Sequence, residues 1–138
     1  MTIVVIGDVM ADVVAAHDAP LARGSDTPAR TRLQGGGGGG NVAAWLAHAG
    51  AEVTLVGRVG DDLLADVALA GLDGVDLRVE RAGTTGVCVV LVGPDGERTM
   101  LPDAGANDAL GQILRKAVRA HIHQFGNEIG VDCRRFGE

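Results

Sequence analysis

Six consecutive glycines, Gly35 to Gly40, constrain this chain more than any other feature. Glycine loses more backbone freedom on ordering than any other residue, so the run is expected to lie outside helix and strand interiors. It permits backbone at positive φ and close approach of bare N–H groups to a ligand. The run leads directly into NVAAWLAHAG. Asn41 has the chemistry of an N-cap. Val42, Ala43, Trp45, Leu46 and Ala49 recur at helical spacing, and Gly50 suits the residue just past a helix end. The stretch reads as a glycine loop feeding a buried helix whose N-terminus faces something polar or anionic. The competing reading is a flexible linker, but an apolar helix pattern starts at once. No Gly-Lys-Ser/Thr follows and no strong strand precedes, so neither a Walker loop nor a dinucleotide fingerprint is present.

The flanking segments alternate strand and helix patterns. TIVVI at 2–6 is a β-branched run expected to be a strand buried on both faces of a parallel sheet. Asp8 and Asp12 follow it, where open α/β sheets place ligands. Asp12 stands among apolar neighbours, as a ligand-binding group or a solvated strand carboxylate. ARTRL at 29–33 suits a half-exposed strand with Arg30 and Arg32 protecting an edge. EVTLV at 52–56 is a second buried strand, which completes a βαβ pattern around the glycine loop. Asp61 or Asp62 is placed to cap a helix over 63–70. Leu77–Val79 is a short strand. VCVVLV at 87–92, the turn Pro94-Asp95-Gly96 and ERTML at 97–101 form a β-hairpin, expected in a second small sheet.

Composition narrows the partners. With 138 residues the chain can bury one modest core, and its net charge of −6 argues against nucleic acid or an anionic membrane as main partner. No apolar run is long enough to span a bilayer, and the N-terminus lacks the basic region of a signal peptide. Cys88 and Cys133 match no metal spacing and read as free thiols of a cytoplasmic protein.

From Gly111 the vocabulary changes. The only lysine, Lys116, and both phenylalanines, Phe125 and Phe136, fall there. Residues 113–122 have a helix pattern, and His121-x-His123 reads as a solvated helix end rather than a metal pair. The chain is expected to divide into a unit over 1–110 and a divergent tail over 111–138, of frame-shifted origin.

Three stretches then stand together: GDVMAD at 7–12, GGGGGGN at 35–41 with its helix and VTLVGRVGDD, and GTTGVCVVLVGPDGERTMLPDAGAN at 83–107. In this order they resemble the N-terminal half of a PfkB-type, ribokinase-like carbohydrate kinase over about residues 3–110. The resemblance implies an α/β fold: a mostly parallel sheet with flanking helices, plus a small antiparallel β lid over a sugar site. It implies that Asp12 and Asn41 bind sugar hydroxyls, that Gly37 and Gly38 press bare backbone against the sugar, and that Val87 offers apolar contact from the lid around Thr85 to Cys88. Met10 stands where members often carry asparagine. The intact family uses ATP and Mg, and its C-terminal half carries a GAGD motif that holds the phosphoryl group and supplies the catalytic base. Nothing resembling that motif occurs here, so no catalytic residue is assigned.

The expectation is therefore a truncated sugar kinase, inactive alone, with a sugar or related polyol as ligand. An open sheet edge or the lid is expected to drive homo-oligomerisation. The rival is a non-catalytic carbohydrate-binding or dimerising half-domain. A dehydrogenase-type nucleotide fold, suggested by TIVVIGD, is set aside because no G-x-G-x-x-G follows the first strand.

Overall fold

The computed structural model describes residues 2–112. The tail features assigned from sequence, including the helix over 113–122, His121, His123 and Cys133, lie outside these residues. Among the described residues the elements follow in the order β1 (Thr2–Ile6), β2 (Met10–His17), β3 (Ala29–Gly36), α1 (Gly38–His48), β4 (Glu52–Val59), α2 (Leu64–Ala68), β5 (Val75–Arg81), β6 (Gly86–Val92), β7 (Arg98–Asp103) and the 3-10 turn Gly105–Ala109. They build two sheets. The first is parallel, ordered β1-β4-β5, and the second is ordered β3-β2-β6-β7. In the second sheet β2 and β6 run parallel at the centre, and the edges β3 and β7 are antiparallel to them. The expected hairpin is present, within a mixed sheet rather than an all-antiparallel one.

The parallel sheet is covered on one face. Val53, Leu55 and Val59 alternate along β4 and are buried with Ala43 of α1, Ala65 and Ala68 of α2, and Leu72. The expectation that β1 is buried on both faces fails. Val4 and Ile6 are 59% and 41% exposed, because both helices pack on the opposite side. The strand before the glycine run, β3, lies in the second sheet, so the parallel partner of β4 across α1 is β1.

The glycine run is not one loop. Gly35 and Gly36 end β3, and Gly38, Gly39 and Gly40 form the first turn of α1. Only Gly37 lies between, at φ 85°, a backbone that side-chain-bearing residues rarely adopt. Helix α1 can start on glycine because its first N–H groups need partners outside the helix, and a distant carboxylate supplies them. Asp8 accepts from Gly38 N–H at 3.0 Å and Gly39 N–H at 3.3 Å, while its own carbonyl accepts from Gly40 N–H at 3.1 Å. Asn41 is therefore not the N-cap. It lies one turn inside, its N–H bonded to Gly37 O at 3.0 Å. The first turn packs backbone to backbone on β1's end: a Cβ on Gly39 would lie 2.6 Å from Gly7 Cα. At the other end Gly50 N–H bonds Ala47 O and Ala51 N–H bonds Leu46 O, the paired closure of a Schellman motif. Trp45 is 73% exposed and Val42 51%, so α1 buries only the stripe through Ala43.

Two polar clasps join the parts. Asn107 brackets the backbone of fully buried Val9, the residue between the two sheets. It accepts from Val9 N–H at 3.1 Å and donates to Val9 O at 3.0 Å. Asp62 caps α2 as expected, accepting from Leu64 and Ala65 N–H. The same carboxylate accepts from the Thr85 hydroxyl at 2.6 Å and from Thr85 N–H at 2.8 Å. These Thr85 bonds, the hydroxyl first, hold the Asp62 carboxyl below the usual carboxylate range.

Four substitutions test these contacts. Gly40→Ala is expected to raise it by about 0.5–1 kcal/mol, since its Cβ would meet open space. Gly39→Ala should instead be clearly destabilising, through its clash with Gly7; urea denaturation of both variants checks the contrast. Asn107→Ala, which leaves both backbone groups of Val9 unpaired, should cost about 2 kcal/mol or more by the same measurement. Because the Asp62 pKa is lowered in the fold, its contribution is full above the unfolded value of 3.8 and is lost as pH falls through the lower folded value. Asp62→Asn should therefore lower the melting temperature at pH 7 and flatten the acid limb of the melting profile.

Candidate functional site

Period two along the strands of the second sheet fixes which residues face together. In β2, Met10, Asp12 and Val14 share one face. Their neighbours across the ladder are Gly36, Gln34 and Arg32 of β3, and Gly86, Cys88 and Val90 of β6. Beyond them stand Pro102, Met100 and Arg98 of β7, opposite Cys88, Val90 and Val92. This face and the N-terminus of α1 enclose a cavity of about 380 Å³.

One end of the cavity is polar. Asp8 and Asp12 line it with Gly37, Gly38 and Asn41. The floor is apolar, a buried cluster of Met10, Val14, Cys88 and Val90 with Val92 against it. Asp12 has no hydrogen-bond donor among the described residues. Burial pushes its carboxyl above the usual value, and the charge of Asp8 adds to the effect. Burial likewise raises the Cys88 thiol, and Asp12, its neighbour across the ladder, raises it further. Gly36 makes room for this arrangement, since a Cβ there would overlap the Asp12 carboxylate. Asn41 also borders a second cavity of about 180 Å³ behind the glycine strand.

Four of the five substrate-binding residues named from sequence thus come together: Asp12, Gly37, Gly38 and Asn41. Val87 does not line the cavity. It is out of phase with Cys88, Val90 and Val92, and lies beside Ala11 on the other face of the sheet. The strand period, carried from Asp12 across to β6, would have selected Cys88. Thr85 is occupied with Asp62 rather than with the cavity. Gln34, Arg32 and Arg98 were missed as lining residues. Arg32 had been assigned to edge protection, and β3 is an edge strand, but this arginine also lines the cavity. Arg30 does lie outside it, paired with Asp18 at 2.8 Å. Among the described residues no group of three histidine, cysteine, aspartate or glutamate side chains stands ready to hold a metal ion. No helix among them is long and apolar enough to cross a membrane.

Known proteins with similar sequence or fold agree with one another. The ATP-dependent ribose-1-phosphate kinase of Halopiger xanaduensis is 39% identical over 127 residues, covering 85% of this chain and 43% of that protein. The structure of ribokinase from Giardia lamblia superposes with a TM-score of 0.71 at 25% identity, over 78% of this chain and 34% of that one. Ribokinase from Arabidopsis thaliana, solved with ribose and ATP, gives 0.62 at 28% identity, over 75% and 36%. The chain thus spans less than half the length of these relatives. The profile of pfkB family carbohydrate kinases matches residues 1–127, past the change of vocabulary at Gly111. With the parallel sheet, its flanking helices and the small second sheet, this match places the chain in the pfkB family of carbohydrate kinases.

Proposed function

We propose that these 138 residues form the sugar-binding part of an ATP-dependent sugar kinase and do not transfer phosphate by themselves. The observation that carries this reading is the convergence of Asp12, Gly37, Gly38 and Asn41, distant in sequence, on one cavity. Asp12 and Asn41 offer an acceptor and an amide to ring hydroxyls. Gly37 and Gly38 leave the backbone bare, so a sugar ring can lie against the start of α1. Burial, and then the charge of Asp8, raise the Asp12 pKa; polyol hydroxyls offer this carboxylate donors that the described residues do not.

Phosphoryl transfer depends on positioning and on charge stabilisation around the phosphoryl group. The sequence carries no counterpart of the family's GAGD motif. The second reading is a half-domain that binds carbohydrate or dimerises without catalysis. The exposed apolar side chains of Leu33 and Leu101, on the lid face away from the cavity, favour its self-association form. Sedimentation of the purified chain tests that form: a dimer supports it, and a monodisperse monomer counts against it.

The test of the main reading is a coupled ATP-consumption assay with a panel of sugars and sugar phosphates, run beside calorimetry. Binding without turnover is expected. Turnover, or failure of every compound to bind, would overturn the reading. Asp12→Asn should weaken binding of every ligand in the panel by about tenfold or more. The same variant should be slightly more stable at pH 7. A raised folded pKa makes the wild-type carboxylate cost stability as pH climbs from 3.8 through the folded value. The gain in melting temperature should vanish in acid.

A further inference from the structure

The first turn of α1 spends its donors inside the protein. Gly38 N–H and Gly39 N–H bond the two carboxylate oxygens of Asp8 at 3.0 and 3.3 Å. Gly40 N–H bonds Asp8 O at 3.1 Å, and Asn41 N–H bonds Gly37 O at 3.0 Å. Every N–H from Gly38 to Asn41 thus has a partner among the described residues. A helix N-terminus draws anions through free N–H groups and about half a positive charge. Here Asp8 supplies the acceptors and a full negative charge. The glycines make room for Asp8 itself: a Cβ on Gly38 would lie 3.1 Å from Asp8 Oδ1, and one on Gly37 would lie 2.5 Å from Asp8 O. Asp12 lines the same end of the cavity. Burial first, and then the charge of Asp8, push its carboxyl above the usual value. Neither carboxylate has an ion pair among the described residues. The arginines that line the cavity, Arg32 and Arg98, stand on the outer strands β3 and β7.

We infer that Asp8 is a specificity-determining residue: it holds the anion position at the start of α1 and so confines that end of the cavity to uncharged ligand groups. This rests on the sugar-binding reading above and adds to it what the polar end turns away. A carboxylate or phosphate group brought to Gly38 would find its N–H already taken and would face Asp8 and Asp12 together. Like charges repel more strongly in a partly enclosed cavity than in open water. A ring hydroxyl meets no such barrier. It donates to Asp12 and accepts from the Asn41 side-chain amide. It packs on the Gly37 and Gly38 backbone without needing the N–H groups there. The glycine run thus shapes the wall, and the hydrogen bonds to the ligand fall to Asp12 and Asn41.

The probes are potassium sulfate, a free anion with no sugar attached, and D-ribose, each added to the full 138-residue chain with ionic strength held constant by KCl. Backbone amide shifts of Gly38, Gly39 and Asn41 in nuclear magnetic resonance locate the binding, and calorimetry gives the affinities. Wild type is compared with Asp8→Asn, Asp8→Glu and Asp12→Asn after circular dichroism shows equal folding. Asparagine caps helices about as well as aspartate, so Asp8→Asn removes the charge and keeps the cap. In the wild type, ribose should shift the Asn41 amide, and sulfate should leave Gly38 and Gly39 unmoved. Asp8→Asn should admit sulfate at Gly38 and Gly39, about fivefold or more tightly than the wild type does. Asp8→Glu, which restores the charge, should exclude it again. Asp12→Asn removes a charge from the same end but leaves the helix start occupied. It should weaken ribose and still turn sulfate away. Sulfate binding at Gly38 or Gly39 in the wild type would overturn the inference without recourse to any variant. So would a folded Asp8→Asn chain that does not admit sulfate. Equal admission by Asp12→Asn would also overturn it, by reducing the effect to net charge. Ribose failing to bind the wild type would sink the sugar-binding reading and this selection with it, whereas the sulfate outcomes bear on Asp8 alone.

Discussion

The arrangement depends on the contact between the end of β1 and the first turn of α1. Gly7 and Gly39 meet backbone to backbone, and Asp8, the next residue, accepts the free N–H groups of that turn through its carboxylate and its carbonyl. The helix start is thereby fixed against the parallel sheet by residues about thirty positions upstream. Everything at the polar end of the cavity is referenced to this point. Gly37 and Gly38 are set by the helix entry, Asn41 by the next turn, and Asp12 by the strand that leaves the same corner.

Val9 is the complementary fixed point. Its side chain fills the core of the parallel sheet, while the chain on its far side enters the lid. A buried junction of this kind leaves one N–H and one C=O outside both ladders, and unpaired groups there are costly. Asn107 satisfies both with a single amide. The Asp62–Thr85 cluster does similar work at the other crossing between sheets, where Gly60 N–H bonds the Thr85 hydroxyl at 3.0 Å. These directional polar bonds add to an apolar contact between the sheets, in which Ala11 of β2 is buried in the cluster under the helices; the opposite face of β2 and β6 carries the separate cluster on the cavity floor.

Much of this was legible in the sequence. The β-branched runs gave β1, β4 and β6, and the Pro94-Asp95-Gly96 turn gave the hairpin. The motif stretches indicated the family and four residues of the cavity. What failed did so for physical reasons. Helix boundaries at the glycine run were hidden because the capping group, Asp8, is remote in sequence, and capping rules read only neighbours. The exposure of Val4, Ile6 and Trp45 depends on which faces are covered, and composition does not encode that. Val87 was placed one residue out of phase, and a shift of one residue on a strand exchanges the two faces. Arg32 and Arg98 look like ordinary edge charges until pairing brings β3 and β7 to flank one cavity. Asn107 offered no local signal, because its partner is 98 residues away.

The lid is knitted from two separate lengths of chain. Its strands β3 and β2 come from residues 10–36 and its strands β6 and β7 from residues 86–103, and the seam between them is the parallel pair β2–β6. No contiguous cassette contains the lid. Recombination that imports a lid from a relative must replace both lengths together and preserve the central seam. Point substitution on the outer strands disturbs neither length nor seam.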